Sequence, residues 1–186
     1  DSGWQLCSGL PGGIGYEKNS GYENLISLDV GKDMHENGDN PNSSCYVRIK
    51  FNVNNKDLTS LNTMTMGVRY DDGFVAYLNN IKIAEANAPA TAGWNSTSSS
   101  RHEGNSLESF DISAYIKNLN TGTNLLAIQA LNASTSSSDF IISVELNATI
   151  QTSGGNIPPN VIPYSTPITL EQNTHIKARV FAGNEW

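Results

Sequence analysis

Apolar and polar residues alternate along several stretches of this chain, which is the pattern of strands that bury one face. The clearest stretches are residues 26–30, 46–53, 64–70 and 139–150. Residues 124–131 are apolar on both faces, as expected of a central strand of a sandwich. The pattern predicts an all-β fold, a two-sheet antiparallel β-sandwich of the jelly-roll type.

The stretch from residue 70 to residue 83 predicts a β-hairpin with an acidic entrance. An Asp-Asp-Gly turn precedes the apolar run 74–78, whose residues have high strand propensity. Asn79 and Asn80 follow, and asparagine tolerates the positive φ angles of the tight turn that a return strand requires. An isolated hairpin is only marginally stable, so we expect it to pack against the other alternating strands.

Composition divides the chain into a domain, a linker and a short C-terminal segment. Residues 1–150 contain the alternating strands, with a long polar loop at 84–109 and one or two helical turns at 113–119. Residues 151–167 are rich in proline and glycine, which predicts a stiffened linker. Residues 168–186 predict a C-terminal β-hairpin or the start of a following module, since so short a segment cannot form its own core.

The chain of 186 residues carries a formal net charge of −7, and only 16% of its residues are charged. Without a basic stripe to displace phosphate counterions, nucleic acid is excluded as a partner, and an anionic polymer is a poor one. The acidic surface is explained either by solubility or by binding of divalent cations. Abundant Asn, Ser, Thr and Gly are typical of an extracellular β-protein.

No apolar stretch reaches the length of a membrane span, so membrane insertion is not expected. The first residues also lack the basic and apolar regions of a signal peptide. Beginning at Asp1, the chain is expected to be a processed or excised piece of a longer secreted protein. It would then act outside the cell or at its surface, beside neighbouring modules.

Cys7 and Cys45 do not have the spacing of a metal site. In an oxidising compartment they predict one disulfide that ties the N-terminal segment to the first long strand. Closing a loop of this length would stabilise the fold by about 3 to 4 kcal/mol in the chain-entropy model. The alternative is that they are two unrelated buried thiols.

Asp71 and Asp72 form the sharpest candidate site. Adjacent carboxylates repel each other unless a cation, a proton or several N–H donors compensate them, and Ca²⁺ prefers carboxylate and carbonyl oxygens. The pair is therefore a candidate calcium site. The alternative is that one aspartate accepts hydrogen bonds from backbone N–H groups of its turn.

Several strings of residues occur in an order that resembles a known module. They are residues 46–51, 69–79, 87–89, 94–95, 122–129 and 137–140. Together they resemble the β-sandwich module of large secreted bacterial surface proteins, in the galactose-binding-like superfamily that includes carbohydrate-binding modules. Residues 167–186 resemble a chitobiase-type, fibronectin-like C-terminal segment. The resemblance implies a non-catalytic module that binds a polysaccharide or another glycan, or that mediates adhesion.

The resemblance also implies particular site residues. The Asp-Asp-Gly turn is similar to that of protective-antigen-type lectin domains, in which an aspartate pair holds calcium that meets the sugar. Asp71 and Asp72 would then contact both the ion and the glycan. Asp139 is a further candidate ligand, which would join Glu23 or Glu17 of the N-terminal loop in a structural calcium site. The alternative is that Asp139 only stabilises the turn at the start of its strand.

Trp94, in the long polar loop, is the best candidate for stacking on a sugar, because its flat aromatic face matches the apolar C–H face of a pyranose. The alternative is that Trp94 anchors its own loop to the core. Tyr77 and Asn79 are further candidates for contact with the sugar. Weaker aromatic candidates are Tyr16, Tyr22 and Trp4.

Two other functions stay open. One is a structural spacer or assembly domain of a cell-surface protein that binds no sugar, which a buried Trp94 would favour. The other is a small glycoside hydrolase, the least favoured because neighbouring aspartates in one turn cannot straddle a glycosidic bond. No Gly-x-Ser-x-Gly nucleophile elbow occurs in the chain. An exposed Trp94 beside polar groups would favour sugar binding.

Overall fold

The computed structural model describes residues 3–36, 38 and 41–150. The strands of this part are β1 Gly13–Glu17, β2 Ile26–Asp29, β3 Ser44–Val53, β4 Leu61–Asp71, β5 Gly73–Leu78, β6 Ile81–Ala86, β7 Glu108–Asp111, β8 Gly122–Leu131 and β9 Asp139–Ile150. The helical segments are α1 Gly31–Met34, α2 Asn55–Ser60 and 3₁₀ turns at Glu23–Leu25 and Ser113–Asn118. Within the described ranges, no helix has the length and apolar character needed to cross a membrane. The linker predicted at 151–167 and the β-extension predicted at 168–186 lie outside the described residues.

The strands form two sheets that pack face to face. The five-stranded sheet has the order β2-β1-β9-β4-β7, and the four-stranded sheet has the order β3-β8-β5-β6. From β3 onward the chain crosses repeatedly between the sheets, as in a jelly roll. The predicted all-β sandwich is confirmed. One pair differs from the antiparallel expectation, because the segment between β1 and β2 returns along the sheet edge and the two strands pair in parallel.

The core lies between the two sheets. Met64 and Met66 of β4 are 2% and 0% exposed, as their period-two spacing predicts. Phe74 of β5, in the other sheet, is also fully buried, and its ring lies edge-on to Tyr70 and Phe110 at centroid distances of 5.1 and 5.2 Å. The two sheets therefore share one continuous apolar core.

The predicted hairpin is formed by β5 and β6. Asn79 and Asn80 connect the two strands with φ angles of 48° and 70°, the positive values that the tight turn needs. The Asp-Asp-Gly segment before the hairpin is the corner where the chain leaves the five-stranded sheet and enters the four-stranded one. A Cβ on Gly73 would lie 2.9 Å from the carbonyl oxygen of Ala86, so glycine allows this corner to pass close to β6.

Candidate functional site

One end of the sandwich collects the candidate acidic residues. β4 ends at Asp71, β5 begins at Gly73, and β9 begins at Asp139. The backbone N–H of Asp72 donates to the carbonyl oxygen of Leu131 at 3.0 Å, which ties the corner to the end of β8. The peptide bond between Asp71 and Asp72 is cis. Acidic side chains from separate strands therefore meet at this end.

Three carboxylates cluster there, those of Asp71, Glu103 and Asp139. Their oxygen atoms lie within 4.8 Å of one another, and Asp71 is buried, Asp139 half-buried and Glu103 exposed. Among the described residues, the ion pairs of Lys and His side chains do not involve any of the three. Clustered carboxylate oxygens are ligands of hard divalent cations. The cluster could therefore hold a metal ion, with access to solvent on the Glu103 side.

The ionised form of Asp71 is destabilised at this buried position. Burial, and next the charge of Asp72, raise the pKa of Asp71 from its usual 3.8 to about 7. The hydroxyl of Tyr22 donates to Asp71 Oδ2 at 2.9 Å, which favours the ionised form and offsets part of that cost. The backbone N–H of Gly104 donates in turn to the Tyr22 oxygen at 2.8 Å. These hydrogen bonds offset only part of the cost of ionising Asp71. A bound cation would stabilise the ionised carboxylate further.

We expect the metal-free protein to lose stability as the pH rises from about 4 towards about 7. In this window the folded state keeps a proton on Asp71 that the unfolded chain has released, because the pKa changes from 3.8 to about 7 on folding. The folded state then binds more protons, so the free energy of unfolding falls as the pH increases. Urea unfolding with a chelator, at about pH 5 and about pH 8, measures the decrease. Asp71→Asn should reduce it, and an undiminished decrease in this variant would assign the effect to other groups.

Asp72 and Glu23, both predicted as calcium ligands, are not part of the cluster. Asp72 Oδ1 accepts a hydrogen bond from the backbone N–H of His102 at 2.8 Å, and its Oδ2 accepts one from that of Ala133 at 2.6 Å. Glu23 Oε2 accepts from the backbone N–H of Gly21 at 2.8 Å. Both carboxylates therefore accept hydrogen bonds from backbone N–H groups. For Asp72 this is the role that was predicted as the alternative to metal binding.

Glu103 was missed at the level of sequence. It lies in the long polar loop without alternation or turn pattern to mark it. Tertiary contacts hold both of its neighbours against β4. Arg69 Nη1 donates to the carbonyl oxygen of Gly104 at 2.7 Å, and the His102 ring stacks on Tyr70 with centroids 4.1 Å apart. Because these contacts are all long-range, no local signal could have identified this ligand.

Trp94 is 76% exposed, although its loop is firmly held. The Tyr46 hydroxyl donates to the carbonyl oxygen of Trp94 at 2.7 Å, and Gln129 Nε2 donates to that of Gly93 at 2.7 Å. The loop is thus anchored by backbone groups and not by the indole. The alternative prediction, in which Trp94 itself anchors the loop in the core, is wrong.

Asn95→Ala should destabilise the protein by about 1 to 2 kcal/mol. Asn95 Oδ1 accepts hydrogen bonds from the backbone N–H groups of Ser43 at 2.8 Å and Ser44 at 3.2 Å. Both serines are buried, and an unsatisfied buried donor costs about 1 to 3 kcal/mol. We expect the lower part of this range because Asn95 is half-buried and water can reach the vacated position. Chemical unfolding measures the loss.

Asn105→Ala is the matched control for this substitution, since Asn105 is an exposed residue of the same loop. The free energy of unfolding of the Asn105→Ala variant should stay within about 0.5 kcal/mol of that of the wild type. Equal losses in the two variants would show that the hydrogen bonds of Asn95 are not what holds the loop.

The other residues predicted to contact sugar are not assembled into one site. Asp71 and Asp72 are 3% and 5% exposed and precede β5, whereas Asn79 follows β5 at its opposite end. Asn79 Oδ1 accepts a hydrogen bond from the backbone N–H of Leu125 at 3.0 Å, so this side chain holds its own turn. Tyr77 lies on the outer face of the four-stranded sheet, since its neighbours in β5 face the core.

The weaker aromatic candidates divide into buried and open side chains. Tyr16 and Tyr22 are 2% and 5% exposed, so neither offers a face to a ligand. Trp4 is 44% exposed, and the guanidinium carbon of Arg48 lies 4.2 Å from the centre of its ring. Of these three side chains, Trp4 alone remains open to a ligand.

Cys7 and Cys45 are free thiols in the structure, so the predicted disulfide is not formed. Both residues line one cavity between the N-terminal segment and β3. The Cys7 thiol donates to the carbonyl oxygen of Gly12, with Sγ and oxygen 3.8 Å apart, and burial raises the pKa of Cys45 to about 12. The structure therefore matches the alternative in that the two thiols are separate, but both residues are half-buried and not fully buried.

Comparison with known proteins shows similarity of fold to parts of solved enzymes, and none at the level of a sequence family. The sequence matches no protein-family model and no curated protein. The fold is similar to part of a Streptomyces avermitilis α-L-rhamnosidase, with 16% identity over 60% of this chain and 9% of that chain, and a TM-score of 0.42. An Aspergillus terreus α-L-rhamnosidase matches with 15% identity over 60% of this chain and 14% of that chain, and a TM-score of 0.40.

A β-D-mannosidase from Dictyoglomus thermophilum matches with 20% identity over 48% of this chain and 9% of that chain, and a TM-score of 0.33. The chain therefore spans only 9 to 14% of the length of these enzymes. TM-scores of 0.33 to 0.42 are too low to carry an argument about function. Fold and site together define a two-sheet β-sandwich with an acidic cluster at one end that could hold a metal ion.

Proposed function

We propose that this chain is a non-catalytic, extracellular carbohydrate-binding module of a larger protein, stabilised by calcium. The observation that carries the proposal is Trp94, 76% exposed on an anchored loop. A large apolar side chain held in water gains free energy when a ligand covers it, about 25 cal/mol per Å² of apolar surface. The indole offers a flat face to the apolar C–H side of a pyranose.

The anchoring of the loop supports binding as much as the exposure does. Hydrogen bonds to the carbonyl oxygens of Gly93 and Trp94 hold the backbone before any ligand arrives. A side chain that is already positioned loses less conformational entropy on binding, so more of the contact energy appears as affinity. Polar groups that could orient a sugar by hydrogen bonding are near, because Tyr46 is 47% exposed beside this loop.

Calcium is the ion that fits the acidic cluster best. The cluster contains carboxylates and no histidine or cysteine, which disfavours zinc. Ca²⁺ accepts about 6 to 8 oxygen ligands in flexible geometry, whereas Mg²⁺ demands a near-ideal octahedron. Carboxylates from three separate segments suit the more tolerant ion. By joining the ends of β4 and β9 to the loop of Glu103, it would stabilise the same end of the sandwich that carries the Trp94 loop.

The geometry gives little support to a hydrolase. A glycosidase places two carboxyl groups on either side of the glycosidic bond. Here Asp71 is 3% exposed and hydrogen-bonded to Tyr22, so its carboxylate is not accessible to a substrate. The proposed module is therefore non-catalytic.

Composition supports the proposed location. Few charged residues and abundant Asn, Ser, Thr and Gly are typical of secreted or cell-surface β-proteins. The Pro- and Gly-rich residues 151–167 are suited to join the sandwich to neighbouring modules. In that setting, binding to a polysaccharide would also provide adhesion.

Isothermal titration against a broad panel of polysaccharides, with excess calcium and then with a chelator, tests the proposal. We expect at least one glycan to bind and its affinity to fall on chelation, because the ion orders the end of the sandwich that carries the Trp94 loop. Flat titrations across the panel would overturn sugar binding and leave the alternative, a structural spacer of a cell-surface protein.

A further inference from the structure

The outer face of the four-stranded sheet contains a shallow groove that follows β8. Arg48 of β3 lies opposite Ala127 of β8, and Ala127 lies opposite Tyr77 of β5. Residues directly opposite one another point to the same side of a sheet. Leu126 and Ile128, on either side of Ala127, face the core, so this row faces outward. Because Ala127 places only a methyl group between two long side chains, it forms the floor of the groove.

Three aromatic side chains surround this floor. Tyr77 is half-buried on the β5 side, and Tyr46 is exposed on the β3 side. The ring of Trp4, also exposed, lies against the guanidinium of Arg48. Together with Ala127 these residues line a cavity of about 520 Å³, and ligand sites commonly measure about 300 to 1,000 Å³. The walls therefore offer aromatic surface to a ligand of ordinary size.

The groove leads towards the loop that carries Trp94. Gln129 is the next outward-facing residue of β8 after Ala127, about 7 Å further along the strand. Its side-chain amide donates to the carbonyl oxygen of Gly93 at 2.7 Å. Tyr46, which lies opposite Gln129, donates to the carbonyl oxygen of Trp94 at 2.7 Å. The hydrogen bonds that anchor the loop thus place it at one end of the groove.

Recognition in the groove depends on ring contact and hydrogen bonding. The described residues that line it include no acidic side chain, so a cationic ligand has no partner there. The net charge of −7 on the whole chain disfavours an anionic polymer. The hydroxyl of Tyr77 and the amide of Asn80, an exposed residue, are polar groups that suit sugar hydroxyls. These features favour an uncharged pyranose, which has apolar C–H faces and a rim of hydroxyl groups.

We propose that the groove and Trp94 together bind a neutral, extended polysaccharide along its length, a β-1,4-linked chain of pyranoses. The inference rests on the proposed carbohydrate binding and adds the class of glycan. A groove that follows a strand is nearly straight, so it accepts a chain that is itself extended. β-1,4 linkage keeps successive rings in an extended ribbon, whereas α-1,4 linkage curves the chain into a helix. Sugar rings lie over Ala127 between Tyr46 and Tyr77, and a further ring stacks on Trp94.

Isothermal titration with cello-, manno- and xylo-oligosaccharides of increasing length, with calcium present, tests the inference. In at least one series we expect the hexasaccharide to bind about tenfold more tightly than the disaccharide, because only the longer chain reaches both the groove and Trp94. Maltohexaose is the matched control for cellohexaose, since it joins the same glucose units by α-1,4 bonds, and it should not show this gain. Equal affinity for disaccharide and hexasaccharide in every series, or an equal gain with malto-oligosaccharides, would overturn the inference.

Variants of the groove test its part in the binding. Ala127→Leu fills the groove without changing any charge and should reduce the affinity for the hexasaccharide to about that for the disaccharide. Ala127→Ser keeps the floor low and should retain the affinity. Tyr77→Ala removes one wall and should weaken hexasaccharide binding about tenfold, whereas Tyr77→Phe keeps the ring and should lose less. Melting temperatures confirm that the variants are folded. Undiminished hexasaccharide affinity in Ala127→Leu or in Tyr77→Ala would overturn the inference.

The two proposals fail in different ways. If a disaccharide binds as tightly as its hexasaccharide and Trp94→Ala abolishes that binding, carbohydrate binding stands and the extended site is wrong. If no glycan binds at any length, both proposals are wrong.

Discussion

Removal of calcium with a chelator will lower the melting temperature of the protein by about 5 to 10 °C. A ligand present at about 100 times its dissociation constant stabilises the folded state by about 2.7 kcal/mol. For a domain of this size, each kcal/mol shifts the melting temperature by about 2 to 4 °C. Scanning calorimetry before chelation, after chelation and after adding calcium back measures the shift and its reversal.

Asp71→Asn should abolish this response. The amide has the size of the carboxylate and can still accept the hydrogen bond from Tyr22, but it carries no charge for the ion. Because the buried charge is also gone, the metal-free variant should be at least as stable as the metal-free wild type at about pH 8. Glu103→Gln should weaken calcium binding with less effect on the metal-free stability, since Glu103 is exposed.

Glu145→Gln is the matched control, because it removes one exposed carboxylate from β9, outside the cluster. It should respond to chelation as the wild type does. A wild-type melting temperature that does not change on chelation would rule out a structural calcium ion. A normal response in Asp71→Asn would place the ion elsewhere.

Trp94→Ala should weaken glycan binding about 10- to 100-fold, which corresponds to about 1.4 to 2.8 kcal/mol. The indole is 76% exposed in the free protein, so its apolar face is available for a ligand to cover. Alanine leaves nothing for the sugar to stack on. The melting temperature should stay nearly unchanged, because hydrogen bonds to the backbone hold the loop without the indole. Titration of each variant with the glycan that the wild type binds measures the loss.

Two further variants make the result specific. Trp94→Phe keeps a smaller aromatic face and should retain part of the affinity. Leu10→Ala removes another exposed apolar side chain, one that is 96% exposed in the N-terminal segment, and should leave binding unchanged. Undiminished affinity in Trp94→Ala would show that the sugar binds without this residue.

Much of the fold could be predicted from local pattern. In a strand, successive side chains point to opposite faces, so the alternation over residues 64–70 and 139–150 predicted which residues of β4 and β9 enter the core. Over residues 46–53 it was less exact, since Ile49 on the predicted inner face is 37% exposed. The turn at Asn79 and Asn80 was predictable for a similar reason, because asparagine tolerates the positive φ angles that the structure shows there. The parallel pairing of β1 with β2 was not predictable, since alternation is the same in both kinds of sheet.

The candidate site was predicted only in part. Asp71 and Asp139 lie in the acidic cluster, as their positions at strand ends suggested, but the third carboxylate is Glu103 and not Asp72 or Glu23. Asp72 follows Asp71 directly, yet its carboxylate accepts hydrogen bonds from the backbone of His102 and Ala133. A corner of the chain sends neighbouring side chains in different directions, and sequence adjacency does not reveal which one faces the cluster.

By itself, the sequence determined that this protein is a β-sandwich with an acidic turn before a hairpin that ends at two asparagines. These features depend on side-chain alternation and turn chemistry, which act over a few residues. Only the tertiary structure decided that Glu103 joins Asp71, that Trp94 is exposed and that Arg48 and Tyr77 flank Ala127. Each of these depends on which strands become neighbours and on how loops dock against them, and such long-range packing leaves no periodic trace in the chain.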